Sequence, residues 1–96
     1  MAYKILYTEG ALKDLENILD YIRIDNPSAA ERIGVSLLNH CDLLQAFPYL
    51  GSPVLPLTNV RKFFHSPVRV YYRVYERQQR IEILYFWHSS RPDPEL

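Results

Sequence analysis

Glycine and cysteine are scarce in this 96-residue sequence, at three and one, and long apolar runs are missing altogether. Three glycines are too few for a phosphate-cradling loop, and no nucleophile elbow surrounds any serine. The lone cysteine, Cys41, excludes an internal disulfide and a cysteine-rich zinc site. The longest apolar stretch, Ile83-Leu84-Tyr85-Phe86-Trp87, is far short of the roughly 18 residues that span a bilayer. Met1-Ala2-Tyr3-Lys4 opens no signal-peptide core. Together these absences predict a cytoplasmic chain with no membrane partner. Ninety-six residues are also too few for two independent cores, so a single domain over 1–96 is expected.

Net charge is likewise lacking, since 11 Lys/Arg face 11 Asp/Glu. The charges nevertheless segregate. Residues 1–60 carry four basic and seven acidic side chains, whereas residues 61–91 carry seven basic side chains against Glu76 and Glu82. The local field, not the sum, decides which partners are attracted, so an acidic partner is not excluded by the neutral total.

The pattern of apolar residues sets the architecture. Tyr3, Ile5 and Tyr7 alternate with Lys4, Leu6 and Thr8, which predicts a short strand. Thr8 is placed to cap a helix whose apolar residues are Ala11, Leu15, Ile18, Leu19 and Ile22. Asn26-Pro27 ends that helix and starts a second, with Asn26 as cap, Pro27 in the first turn and a stripe of Ala30, Ile33, Leu37, Cys41 and Leu44. Pro48, Gly51, Pro53 and Pro56 then predict an irregular connection. Beyond it the period becomes two, with strands expected over 60–65, 68–75 and 81–88, broken by Ser66-Pro67 and by a turn at Arg77-Gln78-Gln79-Arg80. Helices followed by strands predict an α+β fold: an N-terminal strand, a helical hairpin, then a three-stranded antiparallel meander, with the helices on one face of the sheet.

The middle strand is the most informative segment. Val68, Val70, Tyr72 and Val74 form one face suited to lying under the helices, which leaves Arg69, Tyr71, Arg73 and Tyr75 on an open face. With Arg61, Lys62, His88 and Arg91 near its edges, that face is a candidate phosphate- or target-binding surface, because guanidinium groups clamp phosphate and aromatic rings stack on bases. His88 is able to move a proton near neutral pH. Arg and Tyr also occur on exposed strands for packing alone, so the cluster carries more weight than any one member. Asp14, Glu16 and Asp20 read as solvated helix positions. His40, Cys41 and Asp42 point in different directions on one helix, and no metal or cofactor is expected.

Taken together, Ala11-Leu12-Lys13-Asp14-Leu15, Asp20-Tyr21-Ile22, Asp25 to Arg32, Phe47-Pro48-Tyr49-Leu50-Gly51, Tyr72-Arg73-Val74, Ile81 to Leu84 and Trp87-His88-Ser89-Ser90-Arg91 resemble the RelE/ParE superfamily of toxins from type II toxin–antitoxin systems. The resemblance covers nearly the whole chain. It implies a growth-arresting toxin, of the kind linked to plasmid stabilisation, neutralised by a cognate antitoxin. RelE-like members cleave mRNA on the ribosome; for them Arg69, His88 and Arg91 fall where catalytic residues are expected, and Arg61 and Lys62 near the usual basic pair. ParE-like members inhibit DNA gyrase. The long hairpin, the Asn-Pro joint, the His-x-x-Arg ending and the absence of a catalytic C-terminal helix favour that branch. A degenerate, inactive antitoxin-binding module is the third reading. Tyr49, Phe63 and Phe64 are expected as exposed aromatics for an antitoxin segment.

Overall fold

The computed structural model describes residues 2–96. Strand β1, Lys4–Tyr7, lays Ile5 and Tyr7 against the apolar interior. Thr8 ends the strand and starts helix α1, Glu9–Asp25: its hydroxyl accepts from the Ala11 N–H at 3.1 Å and donates to the Ile83 carbonyl at 3.0 Å. At the far end, the Asn26 N–H closes onto the Ile22 carbonyl at 2.9 Å, while its side chain accepts from the Ala29 N–H at 3.1 Å. One residue therefore ends α1 and caps α2, Pro27–Asp42, and Pro27 stands where a missing N–H costs nothing.

Both stripes turn inward. Ala11 and Leu15 of α1, and Ala30, Leu37 and Cys41 of α2, are buried, as is Leu44 in the 3₁₀ turn Leu43–Gln45 that follows. Ile18 and Leu19 pack at the margin of this core, and Ile22 and Ile33 are half-buried. The helices approach closely at Gly34, where a β-carbon would lie 3.1 Å from Leu19 Cδ1. Burial pushes the Cys41 thiol up to about 12, so it stays protonated and unreactive at neutral pH.

The remaining strands are β2 (Ser52–Pro53), β3 (Val60–His65), β4 (Val68–Tyr75) and β5 (Arg80–His88). They join β1 in a five-stranded sheet of order β1-β5-β4-β3-β2, in which only β1 and β5 run parallel. The expected α+β fold and its meander are thus present. Two additions were not expected: β1 pairs with the last strand, and the proline-rich connection supplies a short edge strand, a position where proline is tolerated. The anticipated turn also begins and ends one residue earlier, because Gln79 takes the left-handed conformation (φ 48°) that closes it and Arg80 already belongs to β5.

Val68, Val70, Tyr72 and Val74 lie under the helices, as their alternation requires. Across β5 the alternation breaks. Tyr71 pairs with Tyr85 and Tyr72 with Ile83, so Leu84 is an extra, bulged residue. Ile81 and Ile83 on one side of the bulge, and Phe86 on the other, all reach the same core.

The buried Tyr72 hydroxyl is fully used. It donates to the Pro48 carbonyl and accepts from the Gly51 N–H, both at 2.9 Å, which pins the 48–51 loop onto the sheet. A side chain at Gly51 would put its β-carbon 2.5 Å from the Lys62 carbonyl oxygen. A second polar link joins α2 to β3. Ser36 donates to the Ile33 carbonyl at 3.2 Å, which assigns the hydrogen of its 2.9 Å bond with His65 to the ring Nε2. His65 Nδ1 then accepts from His40 Nδ1 at 2.8 Å, with the His40 ring lying 4.4 Å from that of Phe63.

Four stability outcomes follow from this packing, all read as urea midpoints. Asn26→Ala should cost about 1 kcal/mol, and Leu37→Ala about 2–5 kcal/mol, more than Leu15→Ala, because Leu37 is fully enclosed while Leu15 keeps 8% of its surface. Gly51→Ala should cost about 1–3 kcal/mol, since neither the Lys62 backbone nor the Tyr72 ring can withdraw freely. The fourth concerns pH. Burial, reinforced by His65, holds His40 below its ordinary value of 6.5, so the fold favours the neutral ring. The stability tied to His40 is full above that value and declines as pH falls through it. Midpoints should therefore fall between about pH 7.5 and 5.5, and His40→Gln should flatten that slope.

Candidate functional site

The basic residues singled out from the sequence divide between the two faces of the sheet. Paired positions share a face, so Lys62, Phe64, Arg69, Tyr71, Arg73, Tyr85 and Trp87 lie on the side away from the helices. Arg61 and His88 pair with Tyr72 and Val68 and belong to the helix side.

The face away from the helices is not open, contrary to the reading from alternation. Tyr71 is buried and Arg69, Arg73 and Tyr75 are half-buried. Around Arg69 and Trp87 the face is covered by the chain's last segment, which the sequence reads only as a short extended tail; at its far end the Arg80 guanidinium stacks over the Tyr75 ring, whose hydroxyl donates to Glu82. Residues 91–93 fold back over β4 and β5. The Arg69 guanidinium forms an ion pair with Asp93 and donates to the Arg91 carbonyl at 2.8 Å. The Trp87 indole N–H donates to the Pro92 carbonyl at 2.6 Å. The Arg91 guanidinium stacks 3.8 Å from the centre of the Trp87 ring. Burial raises the Tyr71 phenol, so that group is no base at neutral pH.

Arg73 is the least satisfied member. Among the described residues it has no hydrogen bond or ion pair, and its Nε is buried without an acceptor, as is the Nε of Arg69. The Arg73 side chain lines a cleft of about 430 Å³ with Thr8, Gly10, Leu57, Leu84 and Leu96. Lys62 lines a separate small depression with Ser52, Phe64 and Arg69.

The other candidates have different occupations. Arg61 donates to the carbonyls of Gly51 (2.5 Å) and Tyr49 (3.3 Å) and stacks over the Tyr49 ring, so it braces the loop that Tyr72 also holds. Tyr49 is exposed, and its hydroxyl donates to Glu76, which pushes the phenol up to about 12. Phe64 is 56% exposed, but Phe63 is not the exposed aromatic that was expected. It points to the helix side with Arg61 and His65, retains 9% of its surface, and joins the core.

His88 ends β5 in a cleft of about 450 Å³ formed with Asn17, Ile18, Tyr21, Ser90 and Arg91. Its Nδ1 accepts from Ser90, at 2.7 Å from the hydroxyl and 3.1 Å from the backbone N–H. Asp14 also departs from the solvated position assigned to it. Burial raises its carboxyl, offset by the Phe86 N–H and the charge of Arg91, while Glu16 and Asp20 are exposed as expected. Among the described residues no group of three His, Cys, Asp or Glu is placed to hold a metal, and no helix is long and apolar enough to cross a membrane.

The structure thus gathers Lys62, Arg69 and Arg73 and separates them from Arg61 and His88, with Arg91 at the rim. The sequence reading missed Asp93 and Trp87, the residues that cover this face. The only signal for them is an acidic, proline-flanked segment placed directly after an otherwise basic stretch.

A family model described as the ParE toxin of a type II toxin–antitoxin system, parDE, matches residues 5–92. No curated protein matches the sequence. Among solved structures, the chromosomal ParDE toxin–antitoxin system from P. aeruginosa superposes with a TM-score of 0.77 at 23% identity, covering 91% of this chain and 96% of that one. The RelBE2 toxin–antitoxin complex from Mycobacterium tuberculosis superposes with a TM-score of 0.70 at 21% identity, covering 92% and 99%. At these identities the two structures speak for the fold alone. The family match takes in the helical hairpin, the loop pinned by Tyr72 and the whole basic sheet face, and by it the chain belongs to the ParE toxins of type II toxin–antitoxin systems.

Proposed function

We propose that this chain, as one domain, is a cytoplasmic growth-arresting toxin that works by binding and trapping DNA gyrase, and that a cognate antitoxin neutralises it. The observation that carries this reading is the division of Arg69 from His88. RNA cleavage needs a proton acceptor and a charge-stabilising donor converging on one phosphate. Here Arg69 faces away from the helices and His88 faces toward them. The groups beside Arg69 supply no replacement base: Tyr71 is held protonated, and Asp93 is engaged with Arg69 itself. A toxin that acts by binding requires no proton transfer, and the surface available suits that role. The likeness to toxins solved in toxin–antitoxin systems supports an antitoxin partner for this chain as well.

Expression of the chain alone should arrest bacterial growth, and co-expression of the antitoxin should restore it. The purified protein should inhibit gyrase supercoiling and leave mRNA intact in a translation assay. His88→Gln should retain toxicity, because its role is a hydrogen bond with Ser90 rather than proton transfer. Ribosome-dependent cleavage that falls about 10²–10³-fold on Arg69→Ala or His88→Gln would establish the RelE-like activity instead. Unimpaired growth with verified folded protein would mark the chain as an inactive antitoxin-binding module.

A further inference from the structure

Two histidines from different elements meet where α2 packs on β3, and the toxin reading makes no use of them. His40 and His65 face each other through their Nδ1 atoms at 2.8 Å, with ring centres 5.0 Å apart. Each ring is held from a second side. His65 donates its Nε2–H to the Ser36 hydroxyl at 2.9 Å, and the His40 ring lies 4.4 Å from that of Phe63. Two ring nitrogens come this close only with something electropositive between their lone pairs. In the free protein it is the Nδ1 proton of His40.

The same arrangement suits a metal ion. Zinc binds imidazole nitrogen at about 2.0–2.1 Å, so two such nitrogens set at about 90–110° around it stand roughly 2.9–3.4 Å apart. The observed 2.8 Å falls short of that by at most about 0.6 Å, which a small swing of the rings supplies. The bond from His65 Nε2–H to Ser36 fixes the tautomer that leaves Nδ1 free, and metal-ligating histidines make such an outer hydrogen bond almost always. Burial and His65 favour the neutral form of His40, which is the form that ligates. Both rings are half-buried and Ser36 is exposed, so an ion has access from solvent. Among the described residues no third His, Cys, Asp or Glu joins the pair. The sequence gives no hint of the pairing, because the partner of His40 lies 25 residues away on a strand and not on its own helix.

We propose that His40 and His65 form a two-histidine clamp for a divalent transition-metal ion of the zinc type, bonded to both Nδ1 atoms and with its remaining positions filled by water. On binding, His40 passes from its Nδ1–H to its Nε2–H tautomer, so two neutral rings release no net proton. The ion ties α2 to β3 and stabilises the folded chain, since only the folded chain brings the two rings together. With two protein ligands the clamp is weaker than a four-ligand structural site, so it fills and empties with the free ion concentration.

The test uses the intact, untagged protein with Zn²⁺ as the probe. Calorimetric titration at pH 7.5 should give one ion per chain, the urea midpoint should rise saturably with Zn²⁺, and EDTA should reverse the rise. In ¹⁵N spectra of the histidine rings, Zn²⁺ should move the Nδ1 signals of His40 and His65 and leave those of His88 in place. His40→Gln and His65→Gln should each weaken binding about tenfold or more, and Ser36→Ala about tenfold by freeing the His65 ring, with thermal melting confirming each fold. The absence of saturable uptake overturns the proposal, as does uptake that survives both histidine changes or leaves the urea midpoint unmoved. A response of the His88 signals in place of those of His40 and His65 overturns it too.

Discussion

The fold turns on the meeting of Thr8 with the bulge in β5. Thr8 presents its backbone N–H and its hydroxyl to the same carbonyl, Ile83, immediately before the extra residue Leu84, and its oxygen caps α1 as well. A single residue therefore ends the parallel pairing of β1 with β5, aims α1 across the sheet and satisfies its first orphan donors. The bulge reverses the phase of β5 there. Ile81 and Ile83 reach the core from odd positions and Phe86 from an even one, so the strand packs against α1 along its whole length despite a break in its alternation.

That same extra residue sets the chemistry of the site. In a strand of strict alternation with Ile81 and Ile83 inward, His88 would project to the outer face and join Arg69 and Arg73. With one residue inserted it projects to the helix side, into the cleft with Tyr21, and Trp87 takes the outer position beside Arg69. An imidazole is exchanged for an indole next to the arginines: a proton carrier is removed, and a hydrogen-bond donor that can hold a peptide carbonyl is put in its place. The chemical character of the face thus changes without any change in composition.

What was legible in the sequence follows from this physics. The hairpin was legible because its signals are local: Asn26 and Pro27 occupy the two positions where their side chains are most favoured, and the stripes of α1 and α2 repeat at helical spacing. The inward face of β4 was legible for the same reason, as Val68 to Val74 alternate without interruption. A bulge leaves no local mark, because Leu84 is as good a strand residue as its neighbours, and so the placement of His88 was lost. Phe63 was misjudged as exposed since Phe63 and Phe64 are equivalent in composition, and only the pairing of Phe63 with Val70 assigns it to the core. The closing of the outer face depends on contacts between residues 69 and 93, which no window of periodicity spans.

The segregation of charge along the chain acquires a physical meaning from the same contacts. A sheet face with Lys62, Arg69 and Arg73 close together would repel itself if bare, and half-burial raises that cost because screening by water is reduced. Asp93 relieves part of it, from a segment that follows the basic stretch directly. The relief stops at Arg69. Arg73, four positions further along the strand and opposite Glu82, makes no ion pair among the described residues, and its buried Nε is left without an acceptor, a cost that the sheet carries at this position.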